Sequence, residues 1–311
     1  MSPVKYSILL PIHNEQDNIP LLYSRLTAVM AGVTADYEMI FIDDRSSDNS
    51  FKLLEGLHAK DCRVKILKFT KNHGHQIAIT SGLEHATGSA IVIMDADLQD
   101  PPELLPKFFE KHNEGYEIVY AQRERRIGES YFKRITAFLF YRVMKILTNI
   151  DMPVDVGDFR LIDRKVVDAL NLMQERNKFL RGLIGWTGYK QVGISYQRDS
   201  RHAGTTNYTL RKMLKLAFDG IFSFSYAPLR LATAIGLIIS VCSFILILWA
   251  LIVRYWEVSV PGWASLMIVV SFIGGVQLLT LGIIGEYLGR IYDEVKARPL
   301  YLLEKKVGFT D

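Results

Sequence analysis

The stretch Ala90-Ile91-Val92-Ile93-Met94-Asp95-Ala96-Asp97-Leu98-Gln99-Asp100-Pro101-Pro102-Glu103 decides the fold. Ala90–Met94 is short, apolar and partly β-branched, as a buried strand requires. Two carboxylates follow it with one small residue between them. Prolines and an acidic residue then open a helix. In an α/β sheet, ligands bind outside the carboxyl ends of the strands, which is where this carboxylate pair stands.

The same rhythm continues to either side. Tyr6–Ile12, Glu38–Ile42, Val64–Phe69 and Glu117–Tyr120 read as strands. Asp17–Met30, Asp48–His58, Gly74–Ala86 and Pro102–Asn113 read as helices. The order βαβαβαβ predicts a parallel sheet with helices on both faces. Polar groups collect just after the strands, at His13-Asn14-Glu15, Asp43-Asp44-Arg45-Ser46, Lys71-Asn72-His73-Gly74, Asp95-Ala96-Asp97 and Arg123-Glu124-Arg125-Arg126.

Local structure explains part of this. Ser47, Asp48 or Asn49 suits a helix cap. Asp100-Pro101-Pro102-Glu103 has the form of an N-cap with prolines in the first turn. Gly74 suits a turn. Asp95 and Asp97 need more, because two carboxylates this close repel each other unless a cation is near. Mg²⁺ or Mn²⁺ held by one or two carboxylates and by phosphate oxygens would neutralise a leaving nucleoside diphosphate. Asp44 would suit hydrogen bonds from a base or ribose. No Gly-x-Gly-x-x-Gly follows the first strand and no P-loop occurs, which disfavours a dinucleotide oxidoreductase and a P-loop NTPase.

The 311 residues suffice for one large domain and an appendage. Hydrophobic residues make up 49% and mean hydropathy is +0.13, an average that hides a split near residue 225. The net charge of +4 is mild, and no nucleic-acid partner is expected. The two cysteines, Cys62 and Cys242, fall one in each half, which argues against a disulfide framework. Tyr6–Ile12 is too short for a signal peptide, and none is expected.

Leu231–Val253 has 23 residues, enough at about 1.5 Å per residue to cross a hydrocarbon core of about 30 Å. Trp263–Ile284 is a second such stretch, and the short link Arg254–Gly262 makes the two a transmembrane hairpin. Trp249, Tyr255, Trp256 and Trp263 cluster near the link like an aromatic belt. Arg211, Lys212, Lys215 and Arg230 precede the first span, and Arg290, Lys296, Arg298, Lys305 and Lys306 follow the second. The positive-inside rule then places both termini and the globular part in the cytoplasm, in a multi-pass protein of the cell membrane. Tyr208–Tyr226 reads as an amphipathic surface element or a plain connecting helix. Gly285 and Gly289 form a G-x-x-x-G, a hint of helix association.

Pro11-Ile12-His13-Asn14-Glu15, Asp43-Asp44-Arg45-Ser46, Asp95-Ala96-Asp97-Leu98-Gln99-Asp100-Pro101-Pro102 and Gly157-Asp158-Phe159-Arg160 resemble, in order and spacing, the motifs of inverting family 2 glycosyltransferases of the GT-A fold. The nearest group is the polyprenyl-phosphate glycosyltransferases, among them dolichol-phosphate mannose synthase and bactoprenol glucosyltransferases of the GtrB type. The resemblance implies a GT-A, Rossmann-like, mostly parallel domain over 1–208. An amphipathic segment at 209–229, two spans within 230–286 and a cytoplasmic tail at 287–311 would follow. It implies that Pro11, His13, Glu15, Ile42 and Asp44 line the nucleoside pocket. Asp95 and Ala96 would lie near ribose and diphosphate, with Asp97 as main metal ligand beside Asp95 and Gln99 near the donor sugar. Arg123 and Arg201 would hold phosphates, with Arg126 and Arg198 as further phosphate contacts. Asn207 stands where the family often has Lys, which puts one phosphate contact in doubt, and Arg198 or Arg211 could replace it.

Asp158 stands where many members carry the catalytic base. A lipid monophosphate has a second pKa of about 6 and needs no deprotonation, so Asp158 is expected to orient groups, with Arg160 or the metal as partner. The implied reaction is transfer of one sugar, glucose from UDP-glucose by choice, to a polyprenyl phosphate such as undecaprenyl phosphate. GDP-mannose and aminoarabinose donors are alternatives. A processive polysaccharide synthase is a further one, although the chain lacks the Gln-x-x-Arg-Trp motif expected of it. A homo-oligomer, dimer or tetramer, is among the expected assemblies.

Overall fold

The computed structural model describes residues 4–123, 156–173, 175–176, 178–196, 225–255 and 262–309. Five strands come first: β1 (Tyr6–Ile12), β2 (Tyr37–Asp43), β3 (Val64–Phe69), β4 (Ala90–Ile93) and β5 (Ile118–Arg123). Between them run α1 (Ile19–Ala31), α2 (Ser50–His58), α3 (His75–His85), a 3₁₀ turn at Pro102–Leu104 and α4 (Leu105–Asn113). Then come β6 (Val156–Asp163), α5 (Arg164–Leu172), α6 (Leu180–Trp186) and β7 (Gln191–Tyr196). Two long helices, α7 (Ala227–Tyr255) and α8 (Trp263–Lys296), precede a last strand, β8 (Leu303–Val307).

These strands form one eight-stranded sheet in the order β7-β5-β6-β4-β1-β2-β3-β8. The central β4-β1-β2-β3 block is parallel. Its strands are covered on both faces, so they read as continuous apolar runs. Side chains alternate between two cores. Tyr6, Ile8, Leu10 and Ile12 join Phe41, Leu22 and Phe108 on one face. Leu9, Ile40 and Ile42 join Ile79, Leu83 and Val167 on the other. Gly82 of α3 permits the close approach there, since a Cβ on it would stand 3.0 Å from side-chain carbons of Leu9 and Ile42.

The sheet is mostly parallel, as expected: β5 and β7 also pair parallel, and β6 lies antiparallel between β4 and β5. One expectation is corrected. The C-terminal segment is no free tail: β8 adds antiparallel to β3 and closes that edge of the sheet.

Glu38 is 1% exposed and anchors the lower end of the sheet. It accepts from the Thr87 backbone at 2.7 Å, takes the Ser7 hydroxyl and pairs with Lys65 at 2.6 Å. Burial opposes its charge, but the hydrogen bonds from Lys65, Ser7 and Thr87 outweigh it and hold the pKa below the ordinary value. A carboxylate so depressed contributes stability above its unfolded pKa of about 4.3 and loses it as pH falls through the folded value. Glu38→Ala is expected to cost about 3 kcal/mol, the lower end for a broken buried pair because Lys65 is partly exposed. Melting of the detergent-solubilised protein between pH 7 and 3 checks this. The wild type should lose more of its melting temperature on acidification than the variant.

Helices α7 and α8 pack together, and the Tyr287 hydroxyl donates to the Ser225 carbonyl at 2.6 Å, so the end of α8 lies beside the start of α7. Within them Ala227–Leu246 and Ile268–Lys296 are long and apolar enough to cross a membrane, with mean hydropathy 2.2 and 2.1. Leu237, Ile238, Phe244, Ile268, Phe272 and Leu278 point outward. An apolar surface this large is not buried against the sheet, which sets aside a soluble core hairpin and marks a membrane-associated element.

Candidate active site

Strand register assembles the site. β1 and β2 end level, with Ile12 opposite Asp43, so the His13 and Asp44 loops start side by side. The Asp44 amide donates to the Ile12 carbonyl at 2.9 Å. β4 pairs with β6 through Ile93 opposite Arg160. Continued by two residues, that antiparallel register sets Asp158 beside Asp95.

Asp44 is buried, and its carboxylate accepts from the His73 amide at 2.6 Å and the Gly74 amide at 2.8 Å. It thereby holds the loop from β3 to α3. Each carboxylate oxygen has a second lone pair for a ligand. The His13 ring nitrogen Nδ1 lies 2.9 Å from the Asp44 carbonyl. Glu15 accepts from the Asn18 side chain at 2.6 Å, inside its own turn. Pro11 is half-buried.

Ile42 is fully buried and packs under α3, so its expected place in the nucleoside lining is corrected: the side chain belongs to the core. Ala96 is likewise buried, while Asp95, Asp97 and Gln99 alternate with buried Ala96 and Leu98 and keep partial exposure. Asp97 Oδ1 accepts the Gln99 amide at 3.1 Å.

Asn14, Arg45 and Leu98 have φ of 59°, 60° and 60°, one in each of the loops after β1, β2 and β4. Side chains rarely adopt this left-handed region, and Asn does so most easily. Strained non-glycine residues at one rim mark a place where geometry is held for a purpose. Gly74, at φ 92°, supplies the turn expected of it just before α3.

His75 and Arg181 were not foreseen. The Arg181 fork donates to both Asp158 oxygens, Nε at 2.7 Å and Nη2 at 3.0 Å. His75 Nε2 lies 3.2 Å from Asp158 Oδ2 and 3.5 Å from Asp95 Oδ1, so one imidazole bridges the two carboxylates. The expected Arg160 partner is therefore corrected: Arg160 is buried and donates to the Gly157 carbonyl at 2.8 Å.

Electrostatics follow the geometry. Burial resists the Asp158 charge, but Arg181 and His75 hold its carboxyl well below the usual range. Burial also works against a charged His75, yet its bond to Asp158 and the charge of Asp95 lift its pKa to about 9. Asp95 is pushed up to about 6, chiefly by burial, with Asp158, Asp100 and Asp97 adding to the rise against the pull of His75.

The cap expected at Asp100 is also corrected. Asp100 is fully buried and takes the Tyr196 hydroxyl from the end of β7, while Glu103 pairs with Arg25 through two bonds of 3.0 and 2.6 Å. At α2 the cap position falls to Asn49, whose side chain makes no cap bond, while Asp48 just before it accepts the Ser50 amide at 3.0 Å.

Among the described residues, no three His, Cys, Asp or Glu side chains are arranged to hold a metal ion by themselves. Asp95 and Asp97 offer hard oxygen donors at an open rim. This fits Mg²⁺ or Mn²⁺, which are bound through one or two carboxylates with phosphates and water completing the shell. Arg123 ends β5 opposite Tyr196. Arg126, Arg198, Arg201 and residues 209–224 lie outside the described residues.

Comparison with known proteins accords with this arrangement. The glycosyl transferase family 2 pattern matches residues 7–170, and that of the GtrB C-terminal hairpin matches 227–291. The chain is 48% identical to YkcC of Bacillus subtilis, an uncharacterised glycosyltransferase, over 98% of this chain and 95% of that one. It is 38% identical to a prophage bactoprenol glucosyl transferase homologue of Escherichia coli, over 97% and 99% of the two chains. A bactoprenol glucosyl transferase of Shigella phage SfII is also 38% identical, over 97% and 98%. The chain therefore belongs to glycosyl transferase family 2 and is a glycosyltransferase with a GtrB-type C-terminal hairpin.

Proposed function

We propose that the protein transfers one glucose from UDP-glucose to a polyprenyl phosphate such as undecaprenyl phosphate, with inversion, at the cytoplasmic face of the cell membrane. The observation that carries this is the union, in one chain, of the Asp95/Asp97 rim with an apolar hairpin, along the whole length of relatives named for bactoprenol glucosyl transfer. The domain limits are 1–208, 209–229 and 230–286, with 287–311 returning to the first domain through β8.

Asp97 and Asp95 would hold Mg²⁺ or Mn²⁺, which supplies charge neutralisation for the departing diphosphate. His13, Glu15 and Asp44 with Pro11 and the backbone of Ala96 would bind the nucleoside, and Gln99 the sugar. Arg123, Arg126, Arg198 and Arg201 would hold phosphates through the planar guanidinium fork. The acceptor is an anion at neutral pH and attacks without losing a proton. Asp158, with both oxygens held by Arg181 and His75, orients the site.

The test is a donor panel of labelled UDP-glucose, GDP-mannose and a UDP-aminoarabinose against undecaprenyl phosphate, with thin-layer analysis of organic-extractable lipid. Label in a monosaccharide lipid from UDP-glucose is the expected result. Label from another donor changes the sugar assignment, a polymeric product points to a processive synthase, and no label from any donor sinks the reading.

β8 shares a sheet with β1–β4, which supports one side of the membrane for the globular domain and the C-terminus. Cys62 is free and exposed on the globular domain. In a Cys242→Ser background, a membrane-impermeant maleimide should label Cys62 in inverted vesicles and leave it unlabelled in intact cells. The reverse pattern would overturn the topology.

A further inference from the structure

We propose that the C-terminal segment Leu300–Glu304 positions the donor-binding loop, with Glu304 as a positioning residue that acts through Arg45. The inference rests on the reading that the Asp44 loop holds the nucleotide.

The segment grips both walls of the Asp44 cradle. One wall is the loop after β3, whose His73 and Gly74 amides hold the Asp44 carboxylate. Leu303 pairs with Phe69 at the end of β3, and the Thr70 amide donates to the Leu302 carbonyl at 3.0 Å. The Tyr301 ring stacks on Phe69 with centroids 5.2 Å apart, and its hydroxyl donates to Glu84 of α3. The Leu300 backbone lies beside the His73 ring and favours its protonated form, against the burial that lowers its pKa. The other wall is Arg45, next to Asp44 and in the left-handed region. Its guanidinium donates to Glu304, which also accepts from Lys68 at 2.8 Å. A backbone that few side chains adopt is thus held by an ion pair from a strand 259 residues away.

That strand follows closely on the second membrane helix. α8 ends at Lys296 with Ala297 in the left-handed region. The Arg176 amide donates to Glu294 at 2.8 Å, and the Arg176 guanidinium donates to the Arg298 carbonyl. The helix end is therefore fixed to the globular domain just before the segment reaches the loop. The arrangement ties the conformation of the nucleotide loop to the seating of the hairpin.

Glu304 is partly exposed, so its contribution is to the population of one loop conformation more than to folding. Exposed ion pairs contribute modestly, which sets the expected effect at roughly fivefold in binding. The experiment measures UDP affinity with Mn²⁺ by titration calorimetry on the full chain in detergent, together with steady-state transfer. Glu304→Gln should weaken UDP binding about fivefold and raise the donor KM alike, with kcat, acceptor KM and melting temperature unchanged. Lys305→Gln is the control on the same strand, since Lys305 pairs with Glu55 of α2 at 3.2 Å, away from the loop. It should leave all of these unchanged. UDP binding equal to wild type in Glu304→Gln overturns the inference, as does an equal loss in Lys305→Gln. A wild type that binds neither UDP nor GDP overturns the nucleotide reading itself, and the inference falls with it.

Discussion

Asp97→Asn is expected to lower sugar transfer about a thousandfold and to leave the fold intact. The amide keeps an oxygen where Asp97 Oδ1 now accepts the Gln99 amide at 3.1 Å, so the turn that sets Leu98 at φ 60° survives. What is lost is a unit negative charge at the open rim. A carboxylate-bound divalent cation contributes several kcal/mol to a reaction that expels a diphosphate. A loss of about 4 kcal/mol corresponds to roughly a thousandfold at 1.36 kcal/mol per decade. Chelation should abolish transfer in the wild type, and Mn²⁺ or Mg²⁺ should restore it. The measurements are labelled glucose in extractable lipid and a melting curve for the variant. Retention of more than about a tenth of wild-type transfer, against that thousandfold expectation, would remove Asp97 from this role.

The position of Asp97 just beyond the end of β4 was legible because it depends on one local fact: a short apolar run ending in carboxylates. β1 and β3 were legible for a related reason. Both are covered on two faces, so their apolar runs begin and end where the strands do. β8 was not, since Leu-Glu-Lys-Lys-Val at a sheet edge carries charge outward and reads as a polar tail. β6 holds Gly157, Asp158 and Arg160 among its apolar residues, and nothing local tells which strands flank it. Asp100 shows the converse. Its neighbourhood has every mark of a helix cap, yet a tertiary contact with Tyr196 claims the side chain. His75 stands one residue beyond the polar cluster after β3 and could have been read with it. Arg181 carries no motif, and only the fold of α6 against β6 brings it to Asp158.

Arg181→Ala is expected to reduce transfer about a hundredfold or more and to cost about 2–3 kcal/mol of stability. The stability figure is that of a broken buried pair, discounted because the Arg181 side chain is 32% exposed. Asp158 is 8% exposed, and without the fork its charge would rest on His75 alone. The sign of the pH effect follows. Asp158 has a depressed pKa, so its contribution is present above the unfolded value of about 3.9 and is lost as pH falls through the folded one. At neutral pH it is ionised, but a general base works best with a pKa near the working pH. Asp158 is held far from that value, with both oxygens occupied. Asp158→Asn should therefore lose about a hundredfold by misplacing Arg181 and His75, a loss in the range of other catalytic-geometry defects. That loss should not be rescued toward wild type from about pH 6 to 9, where hydroxide could otherwise stand in for a missing base. Arg181→Ala combined with Asp158→Asn should cost little more than either change alone, because the pair acts as one unit. Full rescue of Asp158→Asn at high pH, or strict additivity of the two losses, would return Asp158 to the role of base.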